Sequence, residues 1–300
     1  MNHIFLIIIL IIMNNILVTG ANGQLGSEIK KISKNYNRYH FFFKDLPELD
    51  VCDFGRIKNF ILLNNIKIVI NCAAYTQVDK SEKESFEAEN VNSKAVFNMV
   101  NILEPINGKL IHISTDYVFD GDKKSPYFEN DKTNPKGIYG QTKLNGENAV
   151  VSSSIDAIVI RTSWLYSEFG KNFVKTIINL ANKKPTIDVV SDQFGSPTNA
   201  SNLAKVCLDI IDNNKNISKH GKIYHYSNEG VISWAEFANY IIEKQNISCN
   251  INPIKTIDYP TLAYRPKYSV LCKEKIKNDF KISIPNWKHS LNKCLIQLNL

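Results

Sequence analysis

No Cys-x-x-Cys pair, no long basic run and no apolar stretch of the roughly 20 residues that a membrane-spanning helix needs occur in this 300-residue chain. Each absence excludes a class. The six cysteines (Cys52, Cys72, Cys207, Cys249, Cys272 and Cys294) are dispersed, and none sits with a histidine at zinc-ligand spacing. A structural zinc site and a disulfide scaffold are therefore not expected. Reduced, mostly buried thiols in a cytoplasmic protein are. The net charge of +7 leans towards anionic partners. Lys and Arg are scattered, however, which argues against a nucleic-acid surface and fits a phosphorylated small molecule. His112 and His225 lie in apolar, strand-like runs, and the other histidines are dispersed too, so ordinary core or surface histidines are expected. Glycine and proline are sparse, at 13 and 10 residues, so each glycine cluster is informative.

The apolar run at residues 4–12 has neither a basic leader nor a small-residue cleavage site. It is read as a spurious upstream extension, with Met13 as the start and no membrane association. From there, strands are expected at 16–19, 39–43, 66–71, 109–114 and 157–161. Helices are expected between them at 24–33, 54–64, 85–103 and 139–151. This alternation predicts an α/β protein with a doubly wound parallel sheet, a Rossmann-like domain over 13–164. Beyond Trp164 the rhythm loosens into helices at 173–182, 201–213 and 234–245, separated by proline-containing loops. A smaller α+β substrate-binding region over 165–300 is expected there, with freedom for the chain to cross back.

The first strand runs into Gly20-Ala-Asn-Gly23-Gln-Leu-Gly26. Glycines between a strand and a helix let the backbone approach a pyrophosphate, and the helix N-terminus offers it free N–H groups. The second strand ends in Phe43-Lys44-Asp45, which carries both signs and leaves NADH and NADPH open. Asp53 and Phe54 are candidates to bracket the adenine, with a helix cap and a core residue as the plainer alternative.

Tyr139 and Lys143 are one helical turn apart and share a helix face. A neighbouring ammonium lowers a phenol's pKa, so this pair can pass a proton to a carbonyl oxygen while hydride moves to its carbon. Thr115, at the end of the fourth strand, can fix the same oxygen. Tyr240 and Lys244 repeat the spacing, but within an amphipathic run that reads as a surface helix.

Together with residues 71–80, 114–121, 161–164 and 192–198, these motifs resemble the extended short-chain dehydrogenase/reductase family over nearly the whole chain from Met13. The resemblance implies reduction of dTDP-4-dehydro-L-rhamnose to dTDP-L-rhamnose by NADPH or NADH. Tyr139 would be the proton donor and Lys143 its partner. Gly20, Gly23, Gln24, Leu25 and Gly26 would hold the pyrophosphate, and Ala74, Tyr75 and Thr76 would border the cofactor. Thr115, Asp116 and Trp164 would touch the sugar nucleotide, and Arg265 its diphosphate. Asn92 matches a polar position before the fourth strand. Some relatives carry a divalent ion such as Mg2+ at a dimer contact; Glu28 matches one ligand there, but Ser201 stands where a second carboxylate is expected. A monomer or a homodimer is implied. Two rival functions are a nucleotide-sugar epimerase or dehydratase, and a non-catalytic subunit like the regulatory one of methionine adenosyltransferase.

Overall fold

The computed structural model describes residues 14–213 and 221–298. The apolar extension lies outside the described residues. Strand β1 (Asn14–Thr19) pairs in parallel with β2 (Tyr39–Lys44) on one side and β3 (Ile66–Asn71) on the other. The sheet continues through β4 (Lys109–Thr115) and β5 (Asp156–Thr162). The chain then returns late to add Lys222–His225 beside β5, giving six parallel strands.

Parallel strands covered on both faces read as continuous apolar runs, and β1 shows why. Successive side chains point to opposite faces, so Ile16 and Val18 join one core and Leu17 the other, all fully buried. The first core is closed by helix α1 (Gln24–Ile32) and by the helix Ala200–Asn213, through Leu25, Ile29, Leu203 and Cys207. The second is closed by α2 (Phe54–Leu63) and α3 (85–103), through Ile57, Ile61, Val96 and Met99.

α3 differs from the continuous helix expected over 85–103. It runs as Ser85–Glu89, passes through a π-helical turn at Asn90–Lys94 and resumes as Ala95–Leu103. The extra residue in that turn changes which side chain faces inward, and it buries Asn92 completely. α4 (Ile138–Val151) follows a long loop after β4.

The smaller region has its own aromatic-rich core of Tyr166, Phe237 and Trp287 under the helices Phe173–Ala181, Trp234–Lys244 and Trp287–Leu298. Asn172 and Ser233 cap the first two of these helices through their side chains. Tyr240 and Lys244 sit on the middle helix, where Tyr240 Oη donates to Asn292 Oδ1 at 3.2 Å and Lys244 pairs with Glu243. All six cysteines are free; Cys207 and Cys294 are buried and the other four only half-buried, fewer than expected. Among the described residues, no helix is long and apolar enough to cross a membrane.

Candidate active site

The sheet order reverses between β1 and β3, and a ligand crevice is expected beyond the strand ends at that point. A cleft of about 800 Å³ opens there, within the range of roughly 300–1,000 Å³ usual for ligand sites. Its floor begins at the glycine turn. Gly20 has a φ of +62°, and a Cβ on it would lie 2.6 Å from Ala73 N. A Cβ on Gly26 would lie 2.6 Å from Ala21 Cα, so Gly26 is needed for the close helix–strand packing. Gly23 caps α1 without a side chain, which leaves the first-turn N–H groups open to an anion, and Gly23, Gln24 and Leu25 line the cleft. These features fit a dinucleotide pyrophosphate.

Past the turn, the cleft is walled by Asp45, Leu46, Leu49, Asp50 and Val51. Asp53 and Phe54 do not line it. Asp53 Oδ1 accepts from Arg56 N at 3.0 Å as the cap of α2, and Phe54 is exposed on that helix. The helix-cap alternative therefore describes Asp53, Phe54 is exposed rather than part of the core, and the wall residues Asp50 and Val51, three positions earlier, were missed.

Opposite stand Cys72 to Thr76, after β3. This loop is clasped by Asn92 from the π-helical turn. Tyr75 N donates to Asn92 Oδ1 at 2.9 Å, and Asn92 Nδ2 donates to Tyr75 O and Thr142 Oγ1, both at 3.1 Å. Asn92 thus ties this loop to α4, which carries Tyr139 and Lys143.

β4 delivers Thr115 and Asp116 to the cleft, and α4 delivers Tyr139 and Lys143. The Lys143 ammonium donates to Ile113 O at 2.6 Å and lies 3.4 Å from His112 Nε2. Burial pulls its pKa down to about 8, opposed by the carboxylate of Glu147. Tyr139 differs from expectation. Burial pushes its phenol well above the ordinary value, against a lowering hydrogen bond with Thr115, and Lys143 does not govern it. Thr115 Oγ1 also donates to Asp116 Oδ1 at 3.0 Å. Asp116 is 2% exposed and its Oδ2 has no partner. Desolvation raises its pKa to about 6. The ring of Tyr117 meets that of Tyr139 edge-on at 5.6 Å, a contact the sequence did not suggest.

Trp164 lines the other wall with a φ of +50°. It stacks on Trp234 with ring centroids 3.5 Å apart, and Gly195 leaves room for its indole, since a Cβ there would lie 2.6 Å from Trp164 Cε2. It therefore serves both packing and cleft. Arg265 is not among the lining residues. Its guanidinium pairs with Asp79 at 2.6 Å and lies 3.5 Å from the Tyr117 hydroxyl. Arg161 is structural: it is buried and bonded to Glu147, with Nη2–Oε2 at 2.6 Å. Glu28 and Ser201 line a separate small pocket, where Ser167 Oγ donates to Glu28 Oε1 at 2.8 Å. Among the described residues, no group of three His, Cys, Asp or Glu is arranged to hold a metal ion.

Comparison with known proteins agrees with this geometry. The dTDP-4-dehydrorhamnose reductase of Aggregatibacter actinomycetemcomitans is 38% identical over 287 residues, covering 93% of this chain and 97% of the relative. The crystal structure of a dTDP-4-dehydrorhamnose reductase from Clostridium acetobutylicum superposes with a TM-score of 0.90 at 38% identity, covering 95% of this chain and 100% of that one. The Bacillus anthracis enzyme, solved in complex with NADP, gives a TM-score of 0.90 at 35% identity, covering 95% and 99%. A dTDP-glucose 4,6-dehydratase from Streptomyces venezuelae, at 13% identity and a TM-score of 0.78, shares the fold. The family model described as the RmlD substrate binding domain matches residues 13–300, nearly the whole chain. With the glycine turn, the Thr115–Tyr139–Lys143 cluster and the cleft between them, this chain belongs to that family.

Proposed function

We propose that this protein reduces dTDP-4-dehydro-L-rhamnose to dTDP-L-rhamnose with NADPH or NADH. The observation that supports it most is that Tyr139, Thr115 and Lys143 line the same cleft as a glycine turn shaped for pyrophosphate. Bound dinucleotide would supply the hydride to sugar C4. Gly23, Gln24 and Leu25 would hold its pyrophosphate, and the Asn92-clasped loop Ala74, Tyr75 and Thr76 its flank. Tyr139 Oη gives its proton to the C4 oxygen, which the Thr115 hydroxyl steadies. The Lys143 ammonium, fixed on Ile113 O, lines the same cleft. Asp116 and Trp164 face the sugar nucleotide. Arg265 would reach a diphosphate at the cleft mouth only by exchanging its partner Asp79. All these residues belong to one chain, so a monomer or a homodimer would serve. The free thiols and the use of a reduced cofactor fit the cytoplasm.

The test is oxidation of NADH and NADPH in the presence of dTDP-4-dehydro-L-rhamnose. Tyr139→Phe should lower kcat by about 10²–10⁴-fold while dinucleotide affinity holds. Unchanged turnover would remove Tyr139 from the mechanism. Turnover without net cofactor consumption would point instead to an epimerase or dehydratase, whose elimination needs a glutamate that Thr115-Asp116-Tyr117 lacks.

A further inference from the structure

Thr19, Asn71 and His112 are register partners on the adjacent strands β1, β3 and β4. Register partners point to one face of the sheet, and all three are buried. Their polar atoms form a row across the strands. Thr19 Oγ1 lies 2.7 Å from the Asn71 amide, whose other end lies 3.1 Å from His112 Nδ1. The row ends on α4, where Lys143 Nζ lies 3.4 Å from His112 Nε2. Residue 146 is a glycine, which lets α4 come this close: a Cβ there would lie 2.2 Å from Asn92 O and 3.5 Å from His112 Nε2.

Burial and the charge of Lys143 hold the His112 imidazole well below its ordinary pKa, so the ring is neutral. A neutral imidazole has one donor and one acceptor nitrogen. An ammonium has only protons to give, so Nε2 is the acceptor and the ring proton sits on Nδ1. Asn71 meets that proton with its amide oxygen and turns its NH2 to Thr19 Oγ1; the two ends of the amide have the same shape and exchange by a half-turn. Lys143 also donates to Ile113 O at 2.6 Å. The other titratable groups that face it are Glu147 on its own helix and Cys72 after β3. The Glu147 carboxylate is engaged by Arg161 and Ser114, and burial keeps the Cys72 thiol protonated.

We infer that His112 is a positioning residue for the reduction: its Nε2, oriented by Asn71 and Thr19, accepts a hydrogen bond from the Lys143 ammonium and holds that charge at the cleft. For its effect on turnover the inference rests on the reductase reading above. The hydrogen bond itself rests on the buried row alone.

Two substitutions separate the contacts of the ring. A glutamine amide reaches about as far as Nε2, so His112→Gln keeps an acceptor for Lys143. An asparagine amide reaches only as far as Nδ1, so His112→Asn keeps the contact with Asn71 and gives up Lys143. Cofactor oxidation with dTDP-4-dehydro-L-rhamnose, followed against pH, should decline above about pH 8 in the wild type. The alkaline limb of His112→Asn should lie about 0.5–1 pH unit lower, the worth of one long hydrogen bond from a charged group, while His112→Gln keeps the wild-type limb. A role in packing alone would lower the Tm of both variants and move the limb of neither. The tautomer is read separately, in protein carrying isotope-labelled histidine near neutral pH and without substrate: the ring-nitrogen signals of His112 should place the proton on Nδ1. That measurement decides by itself if a variant fails to fold. A proton on Nε2, or equal limbs in the two variants, overturns the inference and leaves the reductase reading intact. No turnover of the dTDP sugar by the wild type overturns the reductase reading and the positioning role with it.

Discussion

Asp116 ties the stability of this protein to its function, and the tie can be measured. Its carboxyl is buried, keeps one oxygen without a partner and has a pKa raised from 3.8 to about 6. The folded state therefore holds this proton to a higher pH than the unfolded state does. Stability then falls as pH rises, because unfolding releases the proton. Below about pH 4 both states are protonated and there is no penalty. Above about pH 6 the penalty is complete. A shift of roughly two units at about 1.4 kcal/mol each gives on the order of 3 kcal/mol. Asp116→Asn abolishes this titration. The substituted amide brings its own unpaired group, which costs about 1–3 kcal/mol, but that offset is the same at every pH. The diagnostic is therefore the slope. Urea denaturation of both proteins between pH 4 and 7 should show the variant gaining about 3 kcal/mol relative to wild type across that window. Glu28 and Glu129, also raised by burial, titrate in both proteins and cancel. Parallel stability curves would refute the reasoning. The same variant should lose substrate affinity, since Asp116 lines the cleft beside Thr115.

Three further outcomes follow from the geometry. Gly26→Ala forces a Cβ into the backbone of Gly20 and Ala21; dinucleotide affinity should fall at least tenfold, with about 1–3 kcal/mol of destabilisation on denaturation. Glu147→Gln removes the partner of buried Arg161 and should cost about 3–5 kcal/mol. Because Glu147 also supports the Lys143 charge, whose pKa is about 8, wild-type activity should decline above that pH and the variant's alkaline limb should move lower, as a pH–rate profile would reveal. Asn92→Ala breaks the clasp on Tyr75 and should weaken dinucleotide binding more than it changes the pH profile, which titrations of both would establish.

Much of this was legible in the sequence because it is periodic. The runs that became β1 to β5 alternate with helices, and the three glycines fall between a strand and a helix, where backbone approach requires them. Interactions across the fold left no such trace. Lys222–His225 is four residues long, too short for a periodicity to say that it would close the sheet beside β5. The π-helical turn adds one residue to a helix without altering its composition, so its effect on Asn92 was invisible. Asp53 was read as a ligand because its position suited one, yet it suited a helix cap equally and is one. The Tyr139–Lys143 spacing puts both side chains in the cleft, but the desolvation that raises the phenol's pKa comes from how the surrounding elements pack against it. That is a property of packing, which residue spacing does not encode.

The stacked indoles of Trp164 and Trp234 have an optical consequence. A tryptophan that forms one wall of the cleft reports on whatever fills it, and its emission overlaps the absorption of reduced nicotinamide. Occupancy of the site should be visible as quenching and energy transfer without any label. The chain has only 3 tryptophans, so most of that light comes from the cleft wall and its immediate neighbour.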